Sequence, residues 1–393
     1  MRAARMTSSD GGPAGPAERS VGTKVGGIPR GETRTSTLAV VPKKLCKPPL
    51  RSRAALYGEN GRMTTDELRE LADQCGIDAV GVAVAEPYAN TESHIRERRE
   101  RGLFGRLKFT TLKPEVSCHP ELLVPGAKSV VAGALAFAGT EPERPEAFGR
   151  LPRYTWGDAY ADLRCRLEEL GAALGGSYRV LVDENDHVDR EAAVRAGIGF
   201  YGKNTMVIAP GLGSWIVLGV VVTTVELEPT PAIAPGCGSC TACVDACPTD
   251  ALDEVGVLDA TKCLSYWTQV PEPIPASYRA PLAAQVYGCD ICQDVCPWNR
   301  GPEKRSANST PAVGAHVDLV SWLEQREGLP AGMERLYVPR RDPRWLRRNA
   351  LVAAGNTARP NTALAAAVQH HAHGDDPLLA EHAQWALAEI RKR

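Results

Sequence analysis

The chain has almost no net charge: 46 Lys and Arg stand against 47 Asp and Glu, leaving −1 at pH 7. That removes any global electrostatic case for nucleic acid, so a polyanion partner would have to be met by a local patch. No apolar run approaches the roughly 20 residues of a membrane-spanning helix, which predicts a soluble protein without membrane contact. No secretory signal is visible, and the pair Arg340-Arg341 is far from the N-terminus where a twin-arginine signal would stand. The expected location is cytoplasmic, where thiols stay reduced and disulfides are excluded. Gly197, Gly199 and Gly202 lack the strand-to-helix order of a dinucleotide fingerprint.

Cysteine is where the sequence is rich. Cys237, Cys240, Cys243 and Cys247, followed by Pro248, follow the bacterial ferredoxin spacing, in which three thiolates hold one cubane and the fourth crosses to another. A second copy is incomplete: Cys289, Cys292 and Cys296 precede Pro297, but position 286, where symmetry wants a cysteine, is Val286. Cys263 is the other cysteine nearby. The ligand count assigns one 4Fe-4S cluster to Cys237, Cys240, Cys243 and Cys296, and a second to Cys247, Cys263, Cys289 and Cys292. Structural zinc is the alternative, since C-x2-C pairs also build zinc sites; it leaves the third cysteine of each run and the following prolines unexplained. Cys46, Cys75, Cys118 and Cys165 are solitary and read as packing residues.

At 393 residues, two or three units are expected. Residues 1–62 are rich in Gly, Pro, Ser, Thr and basic residues without periodicity, and read as a disordered extension, with an over-early start codon as the other reading. Residues 63–228 mix helices and strands in an α+β domain with a central sheet. Its strands are predicted at Ser129–Ala136, Tyr178–Val182 and Trp215–Thr224, with a helix face at Leu163, Leu167, Leu170 and Leu174. Pro229–Pro235 leads into a loop-rich cluster domain, 229–300. From 301 to 393, helices are predicted over Trp345–Ala354, Thr362–Val368 and Leu378–Ile390, a plausible helical-repeat tail.

Three further features carry chemistry. Asp183 ends an apolar strand and opens a polar run through Glu184, Asn185, Asp186, His187 and Asp189. It reads either as a solvated turn or, if buried, as a carboxyl with raised pKa able to deliver a proton. Arg335, Arg340, Arg341, Arg344, Arg347 and Arg348, interleaved with Tyr337 and Trp345, suit phosphates and unstacked bases, or else form a solvated face. His370, His371 and His373 diverge around a helix and read as a surface tract rather than a metal site.

Several stretches together resemble the epoxyqueuosine reductase family, cobalamin-dependent iron-sulfur enzymes of tRNA modification. They are Val182-Asp183 through Asp189-Arg190 to A-G-I-G-F-Y-G-K-N (Ala196–Asn204), G-S-W (Gly213–Trp215) and G-C-D-I-C-Q-D-V-C-P-W-N (Gly288–Asn299). R-Y-T-W-G (Arg153–Gly157) and R-R-N-A-L (Arg347–Leu351) extend the likeness. The resemblance implies a base-off cobalamin between the sheet domain and a ferredoxin-like double-cluster domain, and a C-terminal HEAT-like segment. It implies Asp183 as proton donor, and cob(I)alamin, fed by the clusters from a low-potential electron donor, reducing epoxyqueuosine to queuosine at the tRNA wobble position. By position, Arg153, Tyr154, Lys203, Ser265 and Gly288 join Asp183 as implied cobalamin contacts, and a monomer is expected. Two departures bear on substrate and cofactor contacts. The family's D-S-x-P-V-x-E-R runs here from Asp183 to Arg190 with Asp186 for the proline and Asp189 for the glutamate, and Ser117 stands where an arginine is common. The rival readings are a corrinoid reductase for another substrate, such as an organohalide, and a ferredoxin-like carrier without corrinoid.

Overall fold

The computed structural model describes residues 63–107, 109–306, 314–325 and 327–393; the predicted extension 1–62, with Cys46, lies outside them. The first described helix, Thr65–Cys75, has the capping box that its sequence spells: the Thr64 hydroxyl accepts from the Glu67 amide while the Glu67 carboxylate accepts from the Thr64 amide at 2.7 Å.

Strands, numbered in chain order, are β1 Ala79–Val84, β2 Ser129–Ala136, β3 Phe148–Arg150, β4 Tyr178–Val182, β5 Phe200–Tyr201, β6 Val207–Ile208, β7 Ile216–Thr223 and β8 His316–Asp318. Four of them form one antiparallel sheet in the order β1-β2-β7-β4. Both faces are covered, which is why its strands read as nearly unbroken apolar runs. Val131, Leu135, Val180, Val182, Val217 and Val221 face the helices Thr65–Cys75 and Ala159–Leu174. Val130, Ala132, Ala134, Leu181, Val220 and Val222 face Ala192, Ala193 and Ala196 at the helix Asp189–Arg195. Gly133 and Gly219 are register partners, and a Cβ on either would come within 2.8 Å of Leu167, so paired glycines form the notch that seats this side chain.

The cysteine-rich segment is short helical turns joined by loops, with Ala242–Asp245 against Ile291–Asp294 and Leu264–Gln269 beside the helix Arg344–Thr357. The C-terminal helices Arg344–Thr357, Ala363–Ala372 and Pro377–Ile390 pack together; each outruns its sequence-predicted span by a few residues. Their core takes in Leu151, Trp156, Val286 and Tyr287, and β3 pairs with β8, so the packing crosses residue 300. Arg348 and Asn349, both completely buried, bolt the layers together. The Arg348 guanidinium donates to the carbonyls of Trp267, Val270 and Glu272, and the Asn349 amide donates to those of Thr268 and Val286, each at 2.8 Å.

Candidate metal centre and active site

The eight thiols fall into two sets of four. Cys237, Cys240, Cys243 and Cys296 surround one cavity of about 190 Å³, shared with Lys203, Asn204, Ile208 and Trp298. In the second set, electrostatic coupling links Cys263 to Cys247, Cys289 to Cys263, and Cys292 to both Cys289 and Cys263. A coupling between Cys292 and Cys243 joins the sets. Among the described residues, no three His, Cys, Asp or Glu side chains converge closely enough to hold a single ion. Tetrahedral zinc, with Zn–S near 2.3 Å, needs that convergence, whereas a cubane spreads its ligands wider.

The backbone prepares these sulfurs for negative charge. Cys263 stands at the N-cap of the helix Leu264–Gln269 and Cys296 at that of the turn Pro297–Asn299, so helix-start amides lie near both sulfurs and favour their thiolate forms. Burial nevertheless pushes the Cys289 thiol up to about 12 and that of Cys292 well above the usual thiol range. These two bare thiols are neutral at physiological pH, so metal binding must expel their protons. The sets differ in access: Cys240 is exposed, whereas all four residues of the second set are only partly accessible.

Asp183 occupies the turn after β4 with φ 55°, in the left-handed region. The sheet is antiparallel throughout, so its position does not follow the strand-end rule of parallel sheets; it is set by the pinned loop that follows. Arg164 binds the Val182 carbonyl and the Glu184 carboxylate, both at 2.8 Å, and Arg179 pairs with Asp186 at 2.7 Å. The Val188 amide donates to the Ser117 carbonyl at 3.1 Å. The polar run therefore consists largely of anchors. Asp183 is exposed to water, while protein mass gathers around the turn that carries it. Burial first, then the Asp189 carboxylate, push it up to about 6, against the pull of Arg164 and Arg190.

Three tyrosines neighbour this carboxyl. Tyr160 meets Tyr154 edge to face at 6.2 Å, Tyr154 bonds Tyr287, and all three sense the Asp183 charge. The Tyr287 hydroxyl also reaches Gln269 Oε1 at 3.4 Å, and Gln269 Nε2 donates to Ser265 Oγ at 3.0 Å. Hydrogen bonds thus lead from the Cys263 helix to Tyr154, which lies within the field of the acid. Tyr154 and Tyr160 are half-buried yet crowded by protein.

The six sequence-derived contact candidates separate on this map. Tyr154 and Ser265 are joined by these hydrogen bonds, Asp183 lies beside Tyr154, and Gly288 adjoins them, its amide donating to Thr268 Oγ1 at 2.9 Å. Gly288 has a plain packing reason: its φ is 60°, and a Cβ there would lie 2.6 Å from Pro152 Cγ. Lys203 lines the first thiol cavity and donates to the Gly238 carbonyl at 2.8 Å. The Arg153 guanidinium pairs with Asp294 and lies 4.4 Å from the Trp215 ring centroid, which gives it a joint between sheet and cysteine segment. Sequence reasoning missed Tyr160, Gln269 and Tyr287; no local pattern marks them, because they meet only through the tertiary fold.

The arginine stretch separates likewise. Arg348 is the core bolt, Arg335 binds the carbonyls of Gly332 and Thr155, and Arg344 pairs with Asp342 at 2.7 Å. Arg340 is exposed, near exposed Tyr337, whose ring meets Phe109 at 5.1 Å. His371 binds the Leu323 carbonyl at 2.8 Å.

Comparison with known proteins closes the argument about kinship. Residues 236–299 match the family described as a 4Fe-4S double cluster binding domain. The epoxyqueuosine reductase of Bacillus cereus is 33% identical over 338 residues, 80% of this chain and 86% of its own length. That of Xanthomonas campestris pv. campestris is 33% identical over 352 residues, covering 82% and 95%. The chain belongs to the epoxyqueuosine reductase family. It is thereby placed among oxidoreductases, and neither an organohalide reductase nor a bare electron carrier is favoured. An epoxyqueuosine reductase solved with an epoxyqueuosine-modified tRNA-Tyr stem loop superposes with a TM-score of 0.73 at 31% identity, over 83% of this chain and 89% of that one. No described helix is long and apolar enough to cross a membrane.

Proposed function

We propose that the protein reduces epoxyqueuosine to queuosine in tRNA, with Asp183 as the proton donor, two 4Fe-4S clusters held by the two thiol sets, and a base-off cobalamin beside Asp183. The observation that carries this reading is the nearness of a water-accessible, protonatable carboxyl to tyrosines that hydrogen bonds tie to the helix beginning after Cys263. Removing the epoxide oxygen as water, leaving an alkene, takes two electrons and two protons. Cobalamin, when bound, supplies the low-potential metal centre such a reduction needs. The residues suited to hold it are Tyr154, Tyr160, Tyr287 and the Ser265 turn. Asp183, held neutral by its surroundings up to about pH 6, delivers a proton to the departing oxygen. We assign the fold accordingly: residues 63–228 as cobalamin-binding domain, 229–300 as ferredoxin-like domain, and 301–393 as a HEAT-like segment. The protein works as a cytoplasmic monomer that draws on a low-potential electron donor. The test is nucleoside analysis of tRNA from cells lacking the gene. Accumulated epoxyqueuosine, relieved by the wild-type gene and not by Asp183→Asn, is the expected result; unchanged queuosine overturns the substrate.

A further inference from the structure

Behind Asp183 lies a second layer of polar groups that the reaction does not touch. Tyr88 and His187 are both completely buried, with Tyr88 Oη and His187 Nε2 3.2 Å apart. Burial pushes the Tyr88 phenol far up, so it keeps its proton and donates it. Nε2 is then the acceptor, and the ring proton sits on Nδ1, 3.4 Å from Asp189 Oδ1. Asp189 in turn accepts the backbone amide of Asp183, the residue held at φ 55°. The line Tyr88–His187–Asp189 therefore ends on the peptide that orients the acid.

We propose that His187 is a positioning residue: anchored by Tyr88, it holds Asp189 charged and aimed at the Asp183 amide, and so keeps the acid both in place and protonated. The electrostatics run the same way. Burial raises the Asp189 carboxyl, and the hydrogen bond from His187 is the leading influence against that rise. The charge so preserved is the largest raising influence on Asp183 after burial. Without His187, Asp189 would compete for the proton, and Asp183 would lose it at lower pH. The other charged and titratable groups facing the pair are Arg164, Arg190, Tyr154, Tyr160 and Tyr287 around Asp183, and Arg195, Glu191 and Cys118 around Tyr88. The register of the loop also matters, since the turn pins through Val188 to Ser117, and Ser117 offers no charge of its own.

This inference rests on Asp183 being the proton donor, and the experiment separates the two. Single-turnover rates with a chemical reductant are followed against pH for the wild type, His187→Val, His187→Gln, Tyr88→Phe and Asp183→Asn. Infrared spectra follow the protonated carboxyl band that Asp183→Asn removes. His187→Val should move both the falling limb and the infrared midpoint to lower pH by about one unit. His187→Gln, which can still donate to Asp189, should restore most of the shift, and Tyr88→Phe should show a smaller shift in the same direction. If Asp183→Asn is inactive while His187→Val and Tyr88→Phe both superimpose on the wild type, the role of His187 is refuted. If Asp183→Asn keeps full rate, the proton-donor reading itself fails. Should His187→Val not fold, the Tyr88→Phe and His187→Gln profiles decide alone.

Discussion

The two thiol sets are built from the same motif and differ in where they face. The first, completed by Cys296, opens to the surface through Cys240 and the half-open ring of Trp298. The second, completed by the out-of-register Cys263, has no exposed member, and the helix that follows Cys263 is tied through Gln269 and Tyr287 to Tyr154, beside Asp183. The broken repeat at Val286 is what makes the difference. Val286 is fully buried in the C-terminal core, and a Cβ on Gly149 would lie 2.5 Å from it, so packing claims a position that symmetry would have given to a ligand. Recruiting Cys263 instead brings a ligand from the segment that approaches the acid. An exposed set suits electron entry, a less exposed one delivery.

The largest expected break in this comparison comes from Cys263→Ser. Bound iron should fall from about eight per chain toward about four, and turnover should vanish with any reductant. Cys240→Ser should lose similar iron while a small chemical reductant still drives part of the turnover. Equal behaviour of the two variants would erase the distinction between the sets. Next comes Asp183→Asn, expected to lower turnover by about 10²–10⁴-fold with iron content unchanged; an iron loss would mean that the acid site and the clusters are not separable. Its pH counterpart has a definite sign. A carboxyl with its pKa raised to about 6 is the active acid below that value, so rate should fall as pH rises through about 6. The stability that this group contributes by being protonated is lost over the same interval, so Asp183→Asn should raise the melting temperature above pH 6 and leave it nearly unchanged near pH 3.

Smaller effects separate the sets by stability. Arg348→Met strands three carbonyls that follow the Cys263 helix turn, and should destabilise by about 3 kcal/mol, read as a lower denaturation midpoint. Under a chelator it should hasten iron loss from the second set and not from the first. In the wild type the order should be reversed, with the exposed set surrendering iron first, which a biphasic loss of visible absorbance would show.

Much of this arrangement was legible in the chain. The strands Ser129–Ala136 and Tyr178–Val182 match their predicted bounds because an apolar run between turn residues is a local signal. Spacing and ligand count are enough to propose the thiol pairing. Asp183 stood out because Glu184, Asp186 and His187 are unusual beside a sheet, although their use as anchors to Arg164, Arg179 and Tyr88 needed partners remote in sequence. The arginine stretch misled for the same reason: charge composition alone cannot distinguish exposed Arg340 from Arg348, whose partners lie some 80 positions away. Tyr287 could not have been picked out, since its value lies wholly in what it touches.

Asn349 carries one consequence for anyone cutting this protein into parts. Its side chain bridges Thr268 O, next to the second thiol set, and Val286 O, at the gap in the motif, from a helix that begins well past residue 300. A fragment stopping at 300 would retain all eight cysteines in correct order and still be missing the brace across them. Reading such a fragment's poor metal loading as evidence against the ligand assignment would mistake a missing scaffold for a missing site.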